Sequence, residues 1–516
     1  MQQTRVQANQ RIAKNTILLY LRMLFTMAVS LYTSRVVLNT LGVVDYGIYN
    51  VVGGVVSMFT FLNSAMVTST QRYLTFELGR GNHKRLQEVF TTSFYIHIII
   101  AFLIVILSET IGLWFFYEKM VIPTERMVAA MWVFQLSIVT MIINVMSVPY
   151  NAAIVAHEKM GAFAVISILE VTLKLLIVYL LVIGSFDKLI LYAVLTACVQ
   201  LFVRFIYTQY SHRHFFETHL LHKIDYTLMK EMGKFAAWNV WGNMAAMLYG
   251  TGINMLLNVF FGPVVNAARG IAVTVESSVS QFSTNFLMAV NPQITKLYAQ
   301  GNIQEMHLLI FRASKFTCFL LFALSLPILI ETETILRLWL KIVPDYTVSF
   351  LRLLLIIVII NGMARPFMTA AAATGDVKRY QAIIGGVLLA IVPIAYIILK
   401  FGGNPTSVYI VYLCVAIVAF FTRLIIIRSM INLSLRTYFN DVLLKAFSVC
   451  LSSSMLMIVL KNTLPSSTIW SLSLCVIGVV VVILISYFCG LTSGERSFVN
   501  SKCAAIFSKL KTDDSN

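Results

Sequence analysis

Apolar runs of about 20 residues recur from Thr16 to Cys489. Each is long enough to cross a hydrocarbon core of about 30 Å. In lipid, every backbone N–H and C=O must find a partner inside the protein, so such a series folds as a bundle of membrane-spanning helices. The runs place fourteen spans at 15–40, 46–72, 88–114, 127–154, 161–184, 187–210, 232–260, 264–290, 307–330, 347–372, 380–400, 406–428, 442–461 and 467–490. The expected class is an all-α integral membrane protein. Charged residues are 12% of the chain, about half the share typical of soluble domains, and too few to cover a water-facing surface. The first run, Thr16 to Leu41, is too long for the apolar core of a signal peptide, so no cleavable leader is expected.

The formal net charge is +17. A nucleic-acid partner would need a basic face, but here the charge sits mainly in loops between apolar runs. Membrane proteins hold lysine and arginine in their cytoplasmic loops. With the N-terminus inside, the inner segments and the span ends that adjoin them hold 23 of the 39 basic residues, the outer loops and their adjoining span ends seven, and the remaining stretches of the spans nine. The expected topology is multi-pass, with both termini cytoplasmic. A reporter fused after Lys511 is expected to stay on the cytoplasmic side, and an extracytoplasmic signal overturns this topology. Six cysteines, among them Cys318 and Cys450, lie within apolar runs as small core residues, and no metal or disulfide spacing appears.

A shift of 220 residues maps the first part of the chain on the second. Gly42 falls on Gly262, Gly81-Asn82 on Gly301-Asn302, Lys14 on Lys234 and Thr75 on Thr295. Pro149-Tyr150 resembles Pro366-Phe367 with a slightly smaller shift, and Arg204 resembles Arg423. Six spans per repeat give both halves one orientation, as in parallel transporter repeats. The expected organisation is a cytoplasmic N-terminus over 1–14, an N-lobe over 15–210 and a cytoplasmic linker over 211–231. A C-lobe follows over 232–430, two extra spans over 431–491 and a cytoplasmic tail over 492–516.

Charges inside spans are costly, about 2.5–3.5 kcal/mol at mid-helix on insertion scales, and tend to face a cavity or a partner. Span one carries Arg22 and Arg35. Span two carries Asn50, Ser57, Ser64, Thr68 and Arg72 within roughly an 80° sector at 100° per residue. Span seven carries Asn239, Asn243 and Asn254, and span eight carries Arg269 and Glu276. Under the repeat these are equivalent pairs of spans, which points to one aqueous cavity. The competing reading is that Arg35, Arg72 and Arg269 snorkel at helix ends and that the amides pack helices together. Glu170 and Lys174 are spaced to pair along span five, either as a protonatable couple or as a neutralised structural pair. Arg352 and Arg365 bracket span ten. His212, His214, His219 and His222 share one loop but lack a carboxylate or cysteine partner, so a solvated loop is favoured over a metal site. No P-loop, Gly-x-Ser-x-Gly or His-Glu-x-x-His motif is present, and no catalytic residue is assigned.

The segment Leu41-Gly42-Val43-Val44-Asp45-Tyr46-Gly47-Ile48-Tyr49 resembles the first outer loop of bacterial O-antigen-type polysaccharide-lipid flippases. Pro149-Tyr150-Asn151-Ala152-Ala153, Leu338-Trp339-Leu340 with Pro344, and Ala373-Thr374-Gly375 extend the likeness over nearly the whole chain. That family belongs to the multidrug/oligosaccharidyl-lipid/polysaccharide (MOP) exporter superfamily. The resemblance implies two six-helix lobes, alternating access and an undecaprenyl-pyrophosphate-linked glycan as cargo. It also implies the lipid bilayer and other polysaccharide-assembly proteins as partners, with no nucleic acid. It places Arg22, Arg35, Arg72 and Arg269 in a cationic cavity, since arginine binds phosphate through paired hydrogen bonds. Asn239, Asn243, Asn254, Ser57 and Ser64 supply partners for sugar hydroxyls. Glu276, Glu170 and Lys174 are the candidates for ion coupling, with H+ or Na+ as the coupling ion and no other cofactor or metal. Two alternatives stand beside this reading. One is a cation-coupled multidrug exporter, which usually has twelve spans and an acidic cavity. The other is a membrane-embedded glycan polymerase or acyltransferase, for which His97 is the one clear intramembrane histidine.

Overall fold

The computed structural model describes residues 2–57, 60–118, 122–181, 186–221, 225–261, 263–340, 343–463, 465 and 467–497. Among them every regular element is helical. Fourteen principal helices follow in order: α1 (Gln2–Ser57) and α2 (Thr60–Arg80); α3 (His83–Glu118), α4 (Thr124–Ala156), α5 (Met160–Leu180) and α6 (Lys188–His214); α7 (Tyr226–Phe261) and α8 (Pro263–Ala299); then α9 (Ile303–Ile330), α10 (Thr347–Thr374), α11 (Lys378–Lys400), α12 (Pro405–Ile431), α13 (Leu435–Thr463) and α14 (Thr468–Gly490). A short helix, Thr332–Leu340, lies between α9 and α10. Ten of the fourteen are long and apolar enough, over the described residues, to cross a membrane. The other four are α1, α2, α7 and α8. These four carry the polar stripes.

The repeat appears in backbone geometry. Gly81 and Gly301 both take left-handed φ, +70° and +71°. Gly81 N–H donates to Leu78 O and Asn82 N–H to Glu77 O, and Gly301 N–H donates to Tyr298 O and Asn302 N–H to Leu297 O. Each bond maps on its counterpart by 220 residues. Both repeats thus end their second helix in the same Schellman cap, which needs glycine at the left-handed position. Gly262 itself lies outside the described residues.

One boundary differs from expectation. The anticipated turn around Gly42 is absent, and α1 runs unbroken to Ser57. A glycine in a helix interior costs about 1 kcal/mol. Burial of Val37, Leu41, Ile48, Val52 and Val56 along the same stretch outweighs it.

The helices form two compact units. The first comprises Met1–Leu248, Asn285–Met306 and Thr369–Gly386. Its core joins Leu74, Phe90, Tyr150 and Met232 in one cluster and Val52, Phe116 and Phe134 in another. The second comprises Tyr249–Thr284, His307–Met368 and Val387–Asn516. Its core includes Leu257, Phe350, Leu355 and Tyr409. The added helices α13 and α14 pack on α9 in this unit, through Phe322 and Leu326 against Met457, Leu474 and Val482. A buried ion pair, Lys315 Nζ to Glu495 Oε2 at 2.7 Å, closes the same region.

In the first unit Arg126 ties α1 to the start of α6. Its guanidinium donates to both Asp45 oxygens, at 2.8 and 2.5 Å, and to both Asp187 oxygens, at 3.2 and 2.5 Å. Burial alone raises the Asp187 pKa. The Arg126 bond and the N–H groups of Ile190 and Leu189 outweigh it and hold the group below its ordinary value of 3.8. A depressed carboxylate stabilises the fold above its unfolded pKa, and that stability is lost as pH falls through the folded value. Arg126→Ala is therefore expected to cost about 2 kcal/mol at neutral pH. The deficit relative to the parent is expected to shrink below about pH 4. Thermal unfolding in detergent across that range checks this, and a deficit that grows in acid refutes it.

Candidate functional site

In the first unit, Arg22 on α1 donates from Nη2 to Asn285 Oδ1 at 2.8 Å and lies 5.0 Å from the centre of the Phe163 ring. Its Nε is buried without a hydrogen-bond partner among the described residues. Such an orphan costs about 1–3 kcal/mol, so an oxygen ligand or a water is strongly favoured at that edge. On α5, Glu170 Oε1 accepts from Lys174 Nζ at 2.6 Å and from Gln200 Nε2 of α6 at 2.9 Å. The spacing foresaw Lys174 but not Gln200. Asn239 is buried, donates to Phe235 O at 2.9 Å and accepts from Gln381 at 3.0 Å, so its amide ties α7 to α11. Asn243 and Ser64 are exposed. The side chains of Arg35 and Ser57 lie outside the described residues.

Arg72 has a specific set of partners. Its Nε donates to Ala372 O at 3.0 Å and its Nη2 to Ala373 O at 3.1 Å. These are among the last carbonyls of α10, which no helical N–H can satisfy. The guanidinium also lies 4.4 Å from the Tyr73 ring, 5.0 Å from Phe76 and 5.5 Å from Phe235. A Cβ on Gly375, whose φ is +85°, would come within 2.6 Å of Arg72 Nη2, so glycine is required in that turn.

A counterpart exists across the repeat. On α8, Lys296 Nζ contacts Glu158 Oε1 at 2.5 Å and Gln293 Nε2 donates to Glu158 Oε2 at 2.6 Å. Glu158 lies in the α4–α5 turn with φ +59°, and its side chain is 1% exposed. Left-handed backbone is costly for a residue with a side chain, so the carboxylate's bonds must hold it there. The second helix of each repeat thus clamps the turn between the fourth and fifth helices of the other. One clamp acts through backbone carbonyls and the other through a buried ion pair.

In the second unit, Arg269 Nη2 donates to Gly250 O at 2.9 Å and Nη1 to Asn254 Oδ1 at 3.3 Å. Arg365 reaches from α10 to three hydroxyls of α8: Thr284 at 2.5 Å, Ser280 at 2.9 Å and Ser283 at 3.4 Å. These partners are neutral, so its charge stays uncompensated by contact. Glu276 lies one turn earlier on α8, and each of the two groups feels the other's charge. They form no ion pair within 4.0 Å among the described residues. Tyr249 and Tyr412 pair through their hydroxyls at 3.1 Å and also feel Glu276. Arg423 is 5% exposed, with Nε and Nη1 unpartnered among the described residues. Sequence reasoning noted Arg365 as bracketing span ten and as able to face the interior of the second half, but did not select it as a site residue. The cost of in-span charge that selected Arg269 applies to it equally.

Histidines offer little chemistry. His97 is fully buried, with Nδ1 2.7 Å from Ser93 O. His212 pairs with Thr218 and His214 with Tyr210 O, and His222 lies outside the described residues. Among the described residues no group of three potential ligands is placed to hold a metal.

No family model and no curated protein matches this sequence. Solved structures do. An outward-facing multidrug resistance MATE family transporter of the MOP superfamily superposes with TM-score 0.72 at 14% identity, over 82% of this chain and 96% of that one. MATE in a bent conformation gives 0.72 at 13% identity with the same coverage. A MOP superfamily transporter from Pyrococcus furiosus gives 0.68 at 13% identity, again over 82% and 96%. Its binding pocket is described as of reverse polarity, suggesting a different function. The chain therefore has the MATE-like transporter fold.

Proposed function

We propose that the chain is a membrane transporter that moves an anionic glycan-lipid across a bacterial inner membrane by alternating access. Its proposed cargo is a polyprenyl-pyrophosphate-linked oligosaccharide of surface-polysaccharide assembly. The observation that carries the reading is Arg365, an in-span guanidinium whose hydrogen-bond partners among the described residues are hydroxyls, with Arg269, Arg423 and the in-span carboxylate Glu276 in the same unit. An uncompensated guanidinium in low dielectric favours a phosphate. The hydroxyls around it, and the Asn254 amide at Arg269, match sugar hydroxyls. The two clamps of the first unit are the proposed closure at the cytoplasmic ends of the helices. Glu276 is the proposed coupling carboxylate, with H+ or Na+ as the ion, and Glu170 with Lys174 is the second candidate pair.

The solved neighbours favour another reading, a cation-coupled multidrug exporter, since several are MATE transporters. Fold alone does not carry cargo, and a cationic drug in the second unit would meet three arginines for one glutamate. A single experiment in cells separates the two. The chain is expressed in one strain lacking its lipid-linked glycan flippase and in another lacking its drug exporters. Restored surface glycan with unchanged drug sensitivity is expected. Drug resistance without surface glycan would replace the flippase reading with the exporter reading.

A further inference from the structure

The first unit contains a cavity of about 560 Å³ to which the transport reading assigns no ligand. The last turns of α2, the first turns of α7 and the α10–α11 turn enclose it. Tyr73, Phe76, Phe235 and Trp238 form its aromatic part. Arg72, Arg80, Lys234 and Lys378 bring four cations, while Glu77, Glu231 and Asp376 bring three carboxylates. Arg85 also lines it, but Glu88 at 2.9 Å and Asp225 at 2.7 Å take up its charge.

The carboxylates and cations do not neutralise each other by contact. Among the described residues none of these seven groups has an ion-pair partner within 4.0 Å. Glu77 is the most telling, because it is only 8% exposed yet makes no side-chain hydrogen bond among the described residues. The residue is largely buried, and its carboxylate borders a space lined by aromatic faces. A purely anionic ligand would have to sit beside three carboxylates, and a purely cationic one beside four cations. A ligand with both charges on one small headgroup satisfies both sets. Aromatic faces suit its ammonium, as the Lys378 ammonium already lies 5.6 Å from the Trp238 ring. The cavity lies at the helix ends that loop charge assigns to the cytoplasm. Beside it on α7, Tyr226 and Trp241 are exposed, as aromatic residues are at a membrane interface.

We propose that this cavity binds the headgroup of an inner-leaflet aminophospholipid. Arg72, Arg80 and Lys378 hold its phosphate, and Glu77 and Glu231 hold its ammonium. The site shares Arg72 with the proposed cytoplasmic closure and does not rest on the cargo's identity. Native mass spectrometry of the full chain, titrated with phosphatidylethanolamine or phosphatidylglycerol, tests it. Phosphatidylethanolamine is expected to bind about tenfold tighter, the factor of roughly one charge-assisted hydrogen bond. Glu77→Gln is expected to erase that preference while keeping phosphatidylglycerol binding. Glu231→Gln, at an exposed position that does not endanger folding, is expected to reduce it. Arg80→Ala with Lys378→Ala is expected to weaken both lipids. Equal binding of the two lipids, a preference for phosphatidylglycerol, or a preference untouched by both glutamine variants overturns the proposal.

Discussion

Arg365→Ala is expected to slow movement of a pyrophosphate-linked glycan by about ten- to a hundredfold, with little change in thermal stability. A hydrogen bond to a charged group contributes about 1.5–3 kcal/mol, which sets that range. The stability half follows from the partners. Ser283 and Thr284 keep their own bonds to Ser280 O, at 2.8 and 3.1 Å, once the guanidinium is gone. Arg365→Lys is expected to recover part of the rate, since an ammonium keeps the charge but loses the paired-donor geometry. Initial rates in proteoliposomes decide it. A rate equal to the parent's removes Arg365 from the cargo path.

The second large effect is on stability. Lys296→Ala removes the cation from the Glu158 carboxylate, whose side chain is 1% exposed and which also accepts from Gln293. Breaking a buried pair by removing one partner costs about 3 kcal/mol or more. Lys296→Ala is thus expected to lower the unfolding temperature sharply, and Glu158→Gln added to it is expected to recover part of the loss. The double-mutant cycle measures this, and additive losses would show that the pair is not coupled. Arg72→Ala is expected to be milder for stability, because the carbonyls it leaves are neutral and lie at the end of α10.

These contrasts show what periodicity conveys and what it does not. Apolar length located the helices, because lipid allows few other backbone solutions. The Gly81 and Gly301 caps were visible as a 220-residue spacing, because a left-handed turn restricts residue choice strongly. Gly42 misled for a complementary reason: a lone glycine is a weak stop signal, and long-range burial carried α1 through it. The Glu170–Lys174 pair was legible because its partners are four residues apart. Lys296 meets Glu158 across 138 residues and Arg72 meets Ala372 across 300. Nothing in local spacing encodes such meetings. Arg72, read as a cavity cation, has its Nε and one Nη2 hydrogen committed to a helix end.

The most direct measurement reconstitutes the purified chain in liposomes carrying a labelled polyprenyl-pyrophosphate oligosaccharide, with a fluorescent cationic drug in the same preparation. The expected result is that the glycan becomes accessible on the opposite leaflet, faster with an imposed H+ or Na+ gradient, while the drug stays where it was loaded. Drug movement with a static glycan contradicts the anionic-cargo reading.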